Sequence, residues 1–415
     1  MAYLRRLLDD LLDDLMNELP AILIVGPRGT GKTTTAAQRA ASSVRLDVPA
    51  EAAAFRADPD AILRGLPGPV LIDEWQNVPE VFPAVKRAVD ADGAPGRFLL
   101  TGSASGDVTG VTAAGTGRIV RLQLFGMCVR ERLGARSPSI FDRLDSGLRL
   151  EPGDGDWDVR GYLDAALRSG FPDAAKIDSA MVRERWLEGY VSQVTTRDAT
   201  GAPGARDPGR LRRFLQAYAA SSAGVVDAKT IYDAAGIDAR TAGAYESLTE
   251  NVFVTERVPA WSSNRLKRLI RAPKRYVVDA GLLAALLRTD IPGILRDGFL
   301  LGKVVETFVM SQLRAEIEVS RSRPALYHLR DAAGRHEVDI VAELGAGRIV
   351  AFEVKAGATV RQADARHLMW LRDELGEQFV GGVVLHTGPR AFTIADRIVA
   401  APISTLWGGS RLSPN

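Results

Sequence analysis

Gly26-Pro-Arg-Gly-Thr-Gly-Lys-Thr33 is the stretch of sequence that decides how the first part of the chain folds. It fits the phosphate-loop pattern G-x-x-x-x-G-K-[S/T] at every fixed position. The apolar run Ala21-Ile-Leu-Ile-Val25 precedes it, and a helical stretch begins at Lys32. Glycines let backbone N–H groups converge on phosphate, and the N-terminus of a helix adds favourable partial charge. The stretch therefore predicts a nucleotide-binding loop between a strand and a helix.

The side chains of this loop indicate how ATP and Mg²⁺ would be held. Lys32 would neutralise the β and γ phosphates, and Thr33 would ligate Mg²⁺. A plain glycine-rich turn is the alternative, which the strand and the helix on either side argue against. The residues expected to bind the nucleotide are Gly26, Pro27, Arg28, Gly29, Thr30, Gly31, Lys32, Thr33 and Thr34.

Val70-Leu-Ile-Asp-Glu74 supplies the acidic partner of the loop. Asp73 would hold Mg²⁺ through water, and Glu74 would polarise the attacking water as a catalytic carboxylate. Taken alone, an acidic pair at the end of a strand is typical of a solvated turn, but its spacing behind the phosphate loop favours a Walker B strand. Thr101 and Ser103 end the next strand and are placed like the polar sensor that contacts the γ-phosphate.

The hydrophobic pattern divides the chain into three predicted domains. Short apolar strands that alternate with helices predict an α/β fold over residues 1–135, with a parallel sheet covered on both faces. Residues 159–292 are mostly helical, and two short helices within 228–251 followed by two strands are typical of a winged helix. A second α/β pattern occupies residues 298–415. A chain of 415 residues is also too long for a single core.

The composition is that of an ordinary globular protein. A hydrophobic fraction of 46% and a charged fraction of 25% are typical of a globular protein, and a net charge of +2 is not that of a nucleic-acid coat. Cys128 is the single cysteine, so no intrachain disulfide is expected. No stretch approaches the ~18 to 20 apolar residues that span a bilayer, and the N-terminus lacks a signal-peptide core. We therefore expect a cytoplasmic protein without a membrane partner.

Two segments near the C-terminus carry a second possible chemistry. Glu337-Val-Asp339 is followed by Glu353-Val-Lys355, and an acid on one strand with Glu-x-Lys on the next is the pattern of a metal-dependent nuclease. Side chains alternate along a strand, so Glu353 and Lys355 face the same side. Asp339 and Glu353 would bind Mg²⁺, and Lys355 would activate a metal-bound water. The alternative is a solvated ion pair on a nuclease-like fold without catalysis.

Basic residues indicate two further contacts. The loop before the second strand of the winged-helix pattern would contact DNA phosphates, with a salt-dependent affinity, or would form a solvated or interdomain face. Arg118 is interpreted either as an arginine finger acting in trans, in a homo-oligomer, or as a surface arginine, which we prefer. The charged residues of the basic loop are Arg265, Lys267, Arg268, Arg271, Lys274 and Arg275.

Taken together, the motifs resemble a widespread prokaryotic family of AAA+-type ATPases with a C-terminal nuclease-fold domain. The resemblance covers nearly the whole chain and implies an AAA+ core, a winged-helix region and a PD-(D/E)XK-like domain. It also implies Glu306 as an additional acid of the metal site. Family loops often have Gln-Val where this chain has Gly29-Thr30, and both versions keep the required glycines and lysine. The matching segments are Gly26-Pro-Arg28, Ile72-Asp-Glu-Trp-Gln76, Leu100-Thr-Gly-Ser103, Gly117-Arg118, Gly170-Phe-Pro172, Pro273-Lys-Arg-Tyr-Val-Val-Asp279, Gly281-Leu282 and Glu337-Val-Asp339.

The motifs and the resemblance lead to two functional hypotheses. In the favoured one, a Mg²⁺-dependent AAA+-type ATPase gates a C-terminal nuclease-fold domain that acts on DNA or binds it. In the alternative, the ATPase is a regulated switch or interaction module, and the nuclease-fold domain is catalytically inactive.

Overall fold

The described part of the chain forms two compact units. The computed structural model describes residues 3–103, 117–147, 150–198, 207–263, 272–331 and 334–408. The first unit comprises Met1–Gly126 and Thr249–Phe253, and the second comprises Met127–Leu248 and Val254–Asn415. The three-domain division expected from the sequence stays a prediction.

A five-stranded sheet forms the centre of the first unit. Its strand order is β2-β3-β4-β1-β5, and every neighbouring pair is parallel. All residues of β1, β3 and β4 are buried, as in a parallel sheet covered on both faces. The α/β fold predicted for this part of the chain is therefore confirmed. The strands are β1 (Ala21–Val25), β2 (Ser42–Arg45), β3 (Val70–Asp73), β4 (Phe98–Gly102) and β5 (Ile119–Gln123).

Helices of the first unit pack on this sheet through apolar side chains. Phe55, Leu63 and Phe82 lie in one buried cluster with strand residues such as Leu23 and Leu100. The N-terminal helix begins at residue 8, and the residues before it contact side chains and the phosphate loop, as described below. The helices are α1 (Leu8–Glu18), α2 (Lys32–Ala37), α3 (Pro49–Ala57), α4 (Pro59–Gly65) and α5 (Val81–Ala91).

The second unit opens with a largely helical region. Two helices and a two-stranded hairpin appear where the winged-helix pattern predicted them, with Thr255 opposite Val277 and Val258 opposite Lys274. The remaining helices of the described part of the chain are α6 (Val129–Leu133), α7 (Ile140–Asp145), α8 (Val159–Leu167), α9 (Pro172–Ala175), α10 (Ala180–Gln193), α11 (Pro208–Ala220), α12 (Ala228–Ala235), α13 (Ala239–Asn251), α14 (Ala280–Leu287), α15 (Ile291–Arg296), α16 (Gly298–Ile317) and α17 (Arg366–Leu375). The hairpin strands are β6 (Thr255–Val258) and β7 (Lys274–Val277).

A six-stranded mixed sheet follows in the second unit. Its order is β12-β13-β11-β10-β9-β8, with β10, β11 and β13 parallel and the other pairs antiparallel. Leu368 and Leu371 of α17 pack in a cluster with Val341, Ala351 and Phe379. An α/β C-terminal part agrees with the sequence, while its relation to nucleases stays a prediction. The strands are β8 (Ala325–Arg330), β9 (Glu337–Glu343), β10 (Ile349–Lys355), β11 (Phe379–His386), β12 (Phe392–Ala395) and β13 (Ile398–Pro402).

Shorter helical turns connect these elements. Within the described ranges, no helix has both the length and the apolar character needed to cross a membrane. A π-helix spans Val194–Asp198. The 3₁₀ turns are Trp75–Asn77, Gly345–Gly347, Gln362–Ala365, Gly376–Gln378 and Ile403–Leu406.

Candidate functional site

The phosphate loop follows β1 and depends on its glycines. Gly26, Gly29 and Gly31 have φ angles of 149°, 76° and 91°, in the region that favours glycine. A Cβ atom at Gly26 would lie 2.1 Å from the carbonyl oxygen of Leu124, just after β5. The loop can therefore approach β5 this closely only because residue 26 has no side chain.

Lys32 lies against the carbonyl groups of its own loop. Its Nζ donates to the carbonyl oxygens of Gly26 at 3.0 Å and Pro27 at 2.8 Å. Burial lowers the pKa of Lys32 to about 8, although the negative charges of Glu74 and Asp73 act in the opposite direction. The ammonium is thus buried in the loop, as expected of a phosphate-binding lysine.

The predicted Mg²⁺ ligands lie together at the ends of the loop and β3. The Thr33 hydroxyl donates to Oδ1 of Asp73 at 2.9 Å, and the Thr101 hydroxyl donates to the same oxygen at 2.5 Å. Asp73 is 6% exposed. Hydroxyl and carboxylate oxygens are the hard ligands that Mg²⁺ prefers, so the donor set fits this cation.

The other residues of the phosphate loop and the start of α2 differ in how exposed they are. Thr30 is fully buried and its hydroxyl donates to the carbonyl oxygen of Pro27 at 2.8 Å, which stabilises the turn. Arg28 is half-buried, and Thr33 and Thr34 are exposed. Exposure leaves these two threonines accessible to a ligand.

Gln76 connects two predicted catalytic side chains. Its Nε2 donates to Oε2 of Glu74 and lies 3.4 Å from the Ser103 hydroxyl. A Cβ atom at Gly102 would lie 2.6 Å from Oε1 of Gln76 and 2.3 Å from Nε1 of Trp75, so this glycine makes room for both side chains. The sequence marks Gln76 only as a family residue. Its position two residues after Glu74 is the signal that points to a role.

Arg6 supports the loop from the N-terminal segment, which the motifs did not indicate. It is 4% exposed, and its guanidinium donates to the carbonyl oxygens of Thr30 at 2.6 Å and Phe125 at 2.7 Å. The Tyr3 hydroxyl lies 3.2 Å from that of Thr35. These contacts explain why α1 begins after residue 6. No local pattern distinguishes this arginine from a surface one.

Arg118 forms an ion pair on the surface of the first unit. Its Nε lies 2.8 Å from Oδ1 of Asp90, and its side chain is 46% exposed. Asp90 also pairs with Lys86 at 2.6 Å. These contacts agree with the preferred surface interpretation, and an arginine finger in a homo-oligomer stays a prediction.

In the second unit, the predicted carboxylates meet around an ammonium group. Nζ of Lys274, on β7, lies 2.5 Å from Oε1 of Glu306 and 3.0 Å from Oδ1 of Asp339. The hydroxyl of Tyr276 also donates to Oε1 of Glu306, at 2.5 Å. Burial would lower the pKa of Lys274, but the charges of Asp339 and Glu306 outweigh it and raise that pKa well above its usual value. Lys274 is therefore a charged partner of both acids.

Burial and neighbouring charges shift the pKa values of the three carboxyl groups in different directions. Burial raises the pKa of Glu306 to about 7, against the effect of Lys274. Burial alone would also raise the pKa of Asp339, but Lys274 and the Val354 N–H, which donates to Oδ2 at 3.0 Å, lower it. Burial and then the charge of Asp339 raise the pKa of Glu353 well above its usual value. Lys274 thus faces the ionised Asp339 beside two carboxyl groups that favour protonation.

The Mg²⁺ ion expected at Asp339, Glu353 and Glu306 does not fit this arrangement. The ammonium lies between two of the three carboxylates, and Oε2 of Glu353 instead lies 3.5 Å from Nζ of Lys355. Among the described residues, no group of three or more histidine, cysteine, aspartate or glutamate side chains is arranged to hold a metal ion. Lys355 does lie beside Glu353, as the strand alternation predicted.

Two members of the predicted basic loop are buried. Lys274 is 2% exposed and Arg275 is 4% exposed. Nε of Arg275 donates to Glu246 at 3.1 Å, and its Nη1 donates to the carbonyl oxygen of Val226 at 2.7 Å. The prediction that these two residues contact DNA is therefore wrong, because both are part of β7 and pair inside the protein. The other four, Arg265, Lys267, Arg268 and Arg271, lie outside the described residues.

Comparison with protein families assigns the first unit. Residues 18–133 match the AAA domain family. Residues 159–292 match a domain of unknown function (DUF8612), and residues 301–406 match another (DUF4143). With its phosphate loop, Walker B strand and parallel sheet, the part of the chain at residues 18–133 is a P-loop ATPase domain of the AAA type.

Relatives extend the match over most of the chain. Uncharacterized protein Rv2008c of Mycobacterium tuberculosis and Uncharacterized protein Mb2031c of Mycobacterium bovis are each 30% identical to it over 393 residues, 93% of this chain and 81% of theirs. The chain belongs to the same family as these two proteins. Among solved structures, the Walker-type ATPase PABY2304 of Pyrococcus abyssi aligns with a TM-score of 0.40 and 14% identity, over 68% of this chain and 94% of that one.

Proposed function

We propose that the first unit binds ATP together with Mg²⁺ and hydrolyses it with Glu74 as the catalytic carboxylate. The observation that carries the proposal is the contact of the Thr33 hydroxyl with Asp73, at 2.9 Å, beside the buried ammonium of Lys32. A hydroxyl at the end of a phosphate loop and a carboxylate of the Walker B strand are the protein ligands of Mg²⁺ in P-loop ATPases.

Binding exchanges contacts within the loop for contacts with phosphate. Lys32 gives up the carbonyl oxygens of Gly26 and Pro27 and donates to phosphate oxygens instead. Thr33 and Asp73 hold the cation. Bound Mg²⁺ supplies charge neutralisation on the β and γ phosphates. Since the loop is already shaped by its glycines, little reorganisation accompanies binding.

Hydrolysis depends on the orientation of one carboxylate. Glu74 polarises the attacking water, and the amide of Gln76 holds Glu74 in place through a hydrogen bond to Oε2. Ser103 lies within reach of the same amide and acts as the sensor of the γ-phosphate. Gln76 is thus a positioning residue that connects the sensor with the catalytic carboxylate.

Lys32→Ala tests nucleotide binding. A ligand that binds only the native state stabilises it by about 2.7 kcal/mol at a hundred times its Kd. We expect ATP with Mg²⁺ to raise the melting temperature of the wild type and to leave that of Lys32→Ala unchanged. Lys86→Ala is the control, since its side chain lies in an exposed pair with Asp90, and it should respond as the wild type does. An equal ATP-induced shift in Lys32→Ala would refute the assignment of the loop.

A second candidate function is an ATP-regulated switch whose C-terminal domain binds a partner without cleaving DNA. The observation that favours it over a gated nuclease is the ammonium of Lys274 between Glu306 and Asp339, where the nuclease hypothesis needs a metal ion. DNA binding through the basic loop stays a prediction within this candidate.

A further inference from the structure

The carboxylate cluster of the second unit is built around a side chain from outside the nuclease motif. Lys274 and Tyr276 are two residues apart on β7, so their side chains leave the strand on the same face. Both contact Glu306, at 2.5 Å each. Asp339 on β9 completes the pair of acids around the ammonium. The hairpin therefore supplies two hydrogen-bond donors to acids that come from α16 and β9.

The ammonium and a divalent cation exclude each other at this position. Mg²⁺ lies about 2.1 Å from its oxygen ligands and Ca²⁺ about 2.4 Å. Nζ of Lys274 already lies at hydrogen-bond distance from Oε1 of Glu306 and Oδ1 of Asp339. A metal bound to both oxygens would collide with this nitrogen and would also be repelled by its charge.

The ammonium of Lys274 and the carboxylates of Glu306 and Asp339 depend on one another because all three side chains are largely buried. Lys274 is 2% exposed, and the side chains of Glu306 and Asp339 are 12% and 17% exposed. An ammonium buried without a partner destabilises a fold strongly, and so does an ionised carboxylate such as that of Asp339 when it lacks a cation. Glu353 is also buried, and its Oε1 has no hydrogen-bond donor among the described residues. The cluster thus needs one cation, and Lys274 provides it.

We propose that Lys274 is the resident cation of the cluster formed by Glu306, Asp339 and Glu353, in place of a divalent metal ion. The hairpin and the C-terminal sheet are joined through this ion-paired contact. Removing the ammonium leaves the carboxylate cluster without its counter-charge, and carboxylate oxygens are the ligands that hard cations prefer, so we expect a divalent cation to bind more tightly there.

Neutralising Glu306 and Asp339 changes stability in opposite directions for a resident ammonium and for an empty metal site. If Lys274 is resident, Glu306→Gln with Asp339→Asn leaves a buried ammonium unpaired, and the urea midpoint in EDTA without nucleotide falls. Adding Lys274→Met to the same two changes restores the midpoint. If the cluster is instead an empty metal site, neutralisation relieves repulsion and the midpoint of the double variant rises. A rise would overturn the proposal.

Metal titration provides a second, independent test on the full chain. Mn²⁺ is titrated by calorimetry into nucleotide-free protein, because the phosphate loop recruits metal with nucleotide. Any Mn²⁺ binding by the wild type should be unaffected by Asp339→Asn. Lys274→Met should bind Mn²⁺ at least tenfold more tightly than the wild type does. The full chain is required, since a fragment that begins at residue 298 lacks Lys274. Wild-type binding of Mn²⁺ that Asp339→Asn abolishes would refute a resident ammonium, even if Lys274→Met fails to fold.

Discussion

The carboxylate of Glu74 follows β3 directly and accepts a hydrogen bond from the side-chain amide of Gln76. Glu74→Gln keeps the size of the side chain and removes the charge that polarises water. We expect ATP to stabilise this variant as it does the wild type, while phosphate release slows by about 10² to 10⁴-fold, the usual contribution of general base catalysis. Glu80→Gln, an exposed neighbour in the same unit, should hydrolyse ATP normally. Equal turnover in Glu74→Gln and wild type would move the catalytic carboxylate elsewhere.

Gly26 gives a second prediction at the residue scale. Alanine at this position would place a Cβ atom 2.1 Å from the carbonyl oxygen of Leu124, at a φ of 149°. Strained backbone of this kind costs about 1–3 kcal/mol, and the loop must shift to relieve the contact. We therefore expect Gly26→Ala to lower the melting temperature and to lose the stabilisation by ATP. Gly65→Ala is the control, because a Cβ atom there has no neighbour within 4 Å. An unchanged response to ATP in Gly26→Ala would show that the close approach to β5 is dispensable.

At the residue scale, sequence patterns identified the residues whose roles are fixed by a single local motif. The spacing of Lys32 and Thr33 within one motif is fixed by the loop itself, so their roles could be predicted without a structure. The partners of Lys274 could not, because Asp339 lies 65 positions further along the chain. A lysine in a basic stretch indicates a solvated or DNA-binding side chain. Only the packing of β7 against the neighbouring elements makes it an internal counter-ion.

At the scale of elements, periodicity predicted strands and helices better than it predicted their ends. The short apolar runs of β1, β3 and β4 are typical of buried parallel strands, and every residue of these three strands is buried. The helix α1 begins at residue 8, and the guanidinium of Arg6, just before it, donates to a carbonyl group of the phosphate loop. Long-range contacts of this kind leave no periodic signal.

The helix α16 organises the starts of two other helices in the second unit. Glu316 accepts from Nη1 of Arg130 at 2.6 Å and from the backbone N–H of Ile140 at 2.8 Å. One turn earlier, Gln312 accepts from the backbone N–H of Val129 at 2.7 Å. Since Arg130 and Glu316 have side-chain exposures of 8% and 4%, this ion pair is buried. One face of α16 therefore fixes α6 and α7.

Glu316→Leu tests the contribution of that face. Removing one partner of a buried ion pair costs about 3–5 kcal/mol, because the other charge remains buried without a partner. We expect the urea midpoint of Glu316→Leu to fall accordingly and to recover in part when Arg130→Met is added. Glu188→Gln, in an exposed pair with Arg185, should change stability by less than about 0.5 kcal/mol. A single variant as stable as this control would mean that α16 holds the two helices by apolar packing alone.

At the scale of the whole molecule, length and motifs predicted several domains with a P-loop ATPase domain among them, and residues 18–133 match the AAA domain family. Composition could not indicate how charge is distributed. The net charge of +2 conceals an internal ion-paired cluster in the second unit, where Lys274 is buried against carboxylates. Lys274 and Arg275, two of the six basic residues on which the DNA-binding hypothesis depended, are therefore buried inside the protein.

The last prediction concerns DNA cleavage by the full chain. A metal-dependent nuclease needs a divalent cation at Asp339 and Glu353, and the ammonium of Lys274 lies within 3.0 Å of Asp339. We therefore expect plasmid and branched DNA incubated with Mg²⁺ to remain intact, with ATP and without it. Lys355→Ala should give the same result as the wild type, because no cleavage depends on it. Lys32→Ala separates the hypotheses further, since an ATP-gated nuclease would cut DNA in the wild type with ATP and not in this variant. Mg²⁺-dependent cleavage that Lys355→Ala abolishes would establish the nuclease and would require Lys274 to leave the cluster during the reaction.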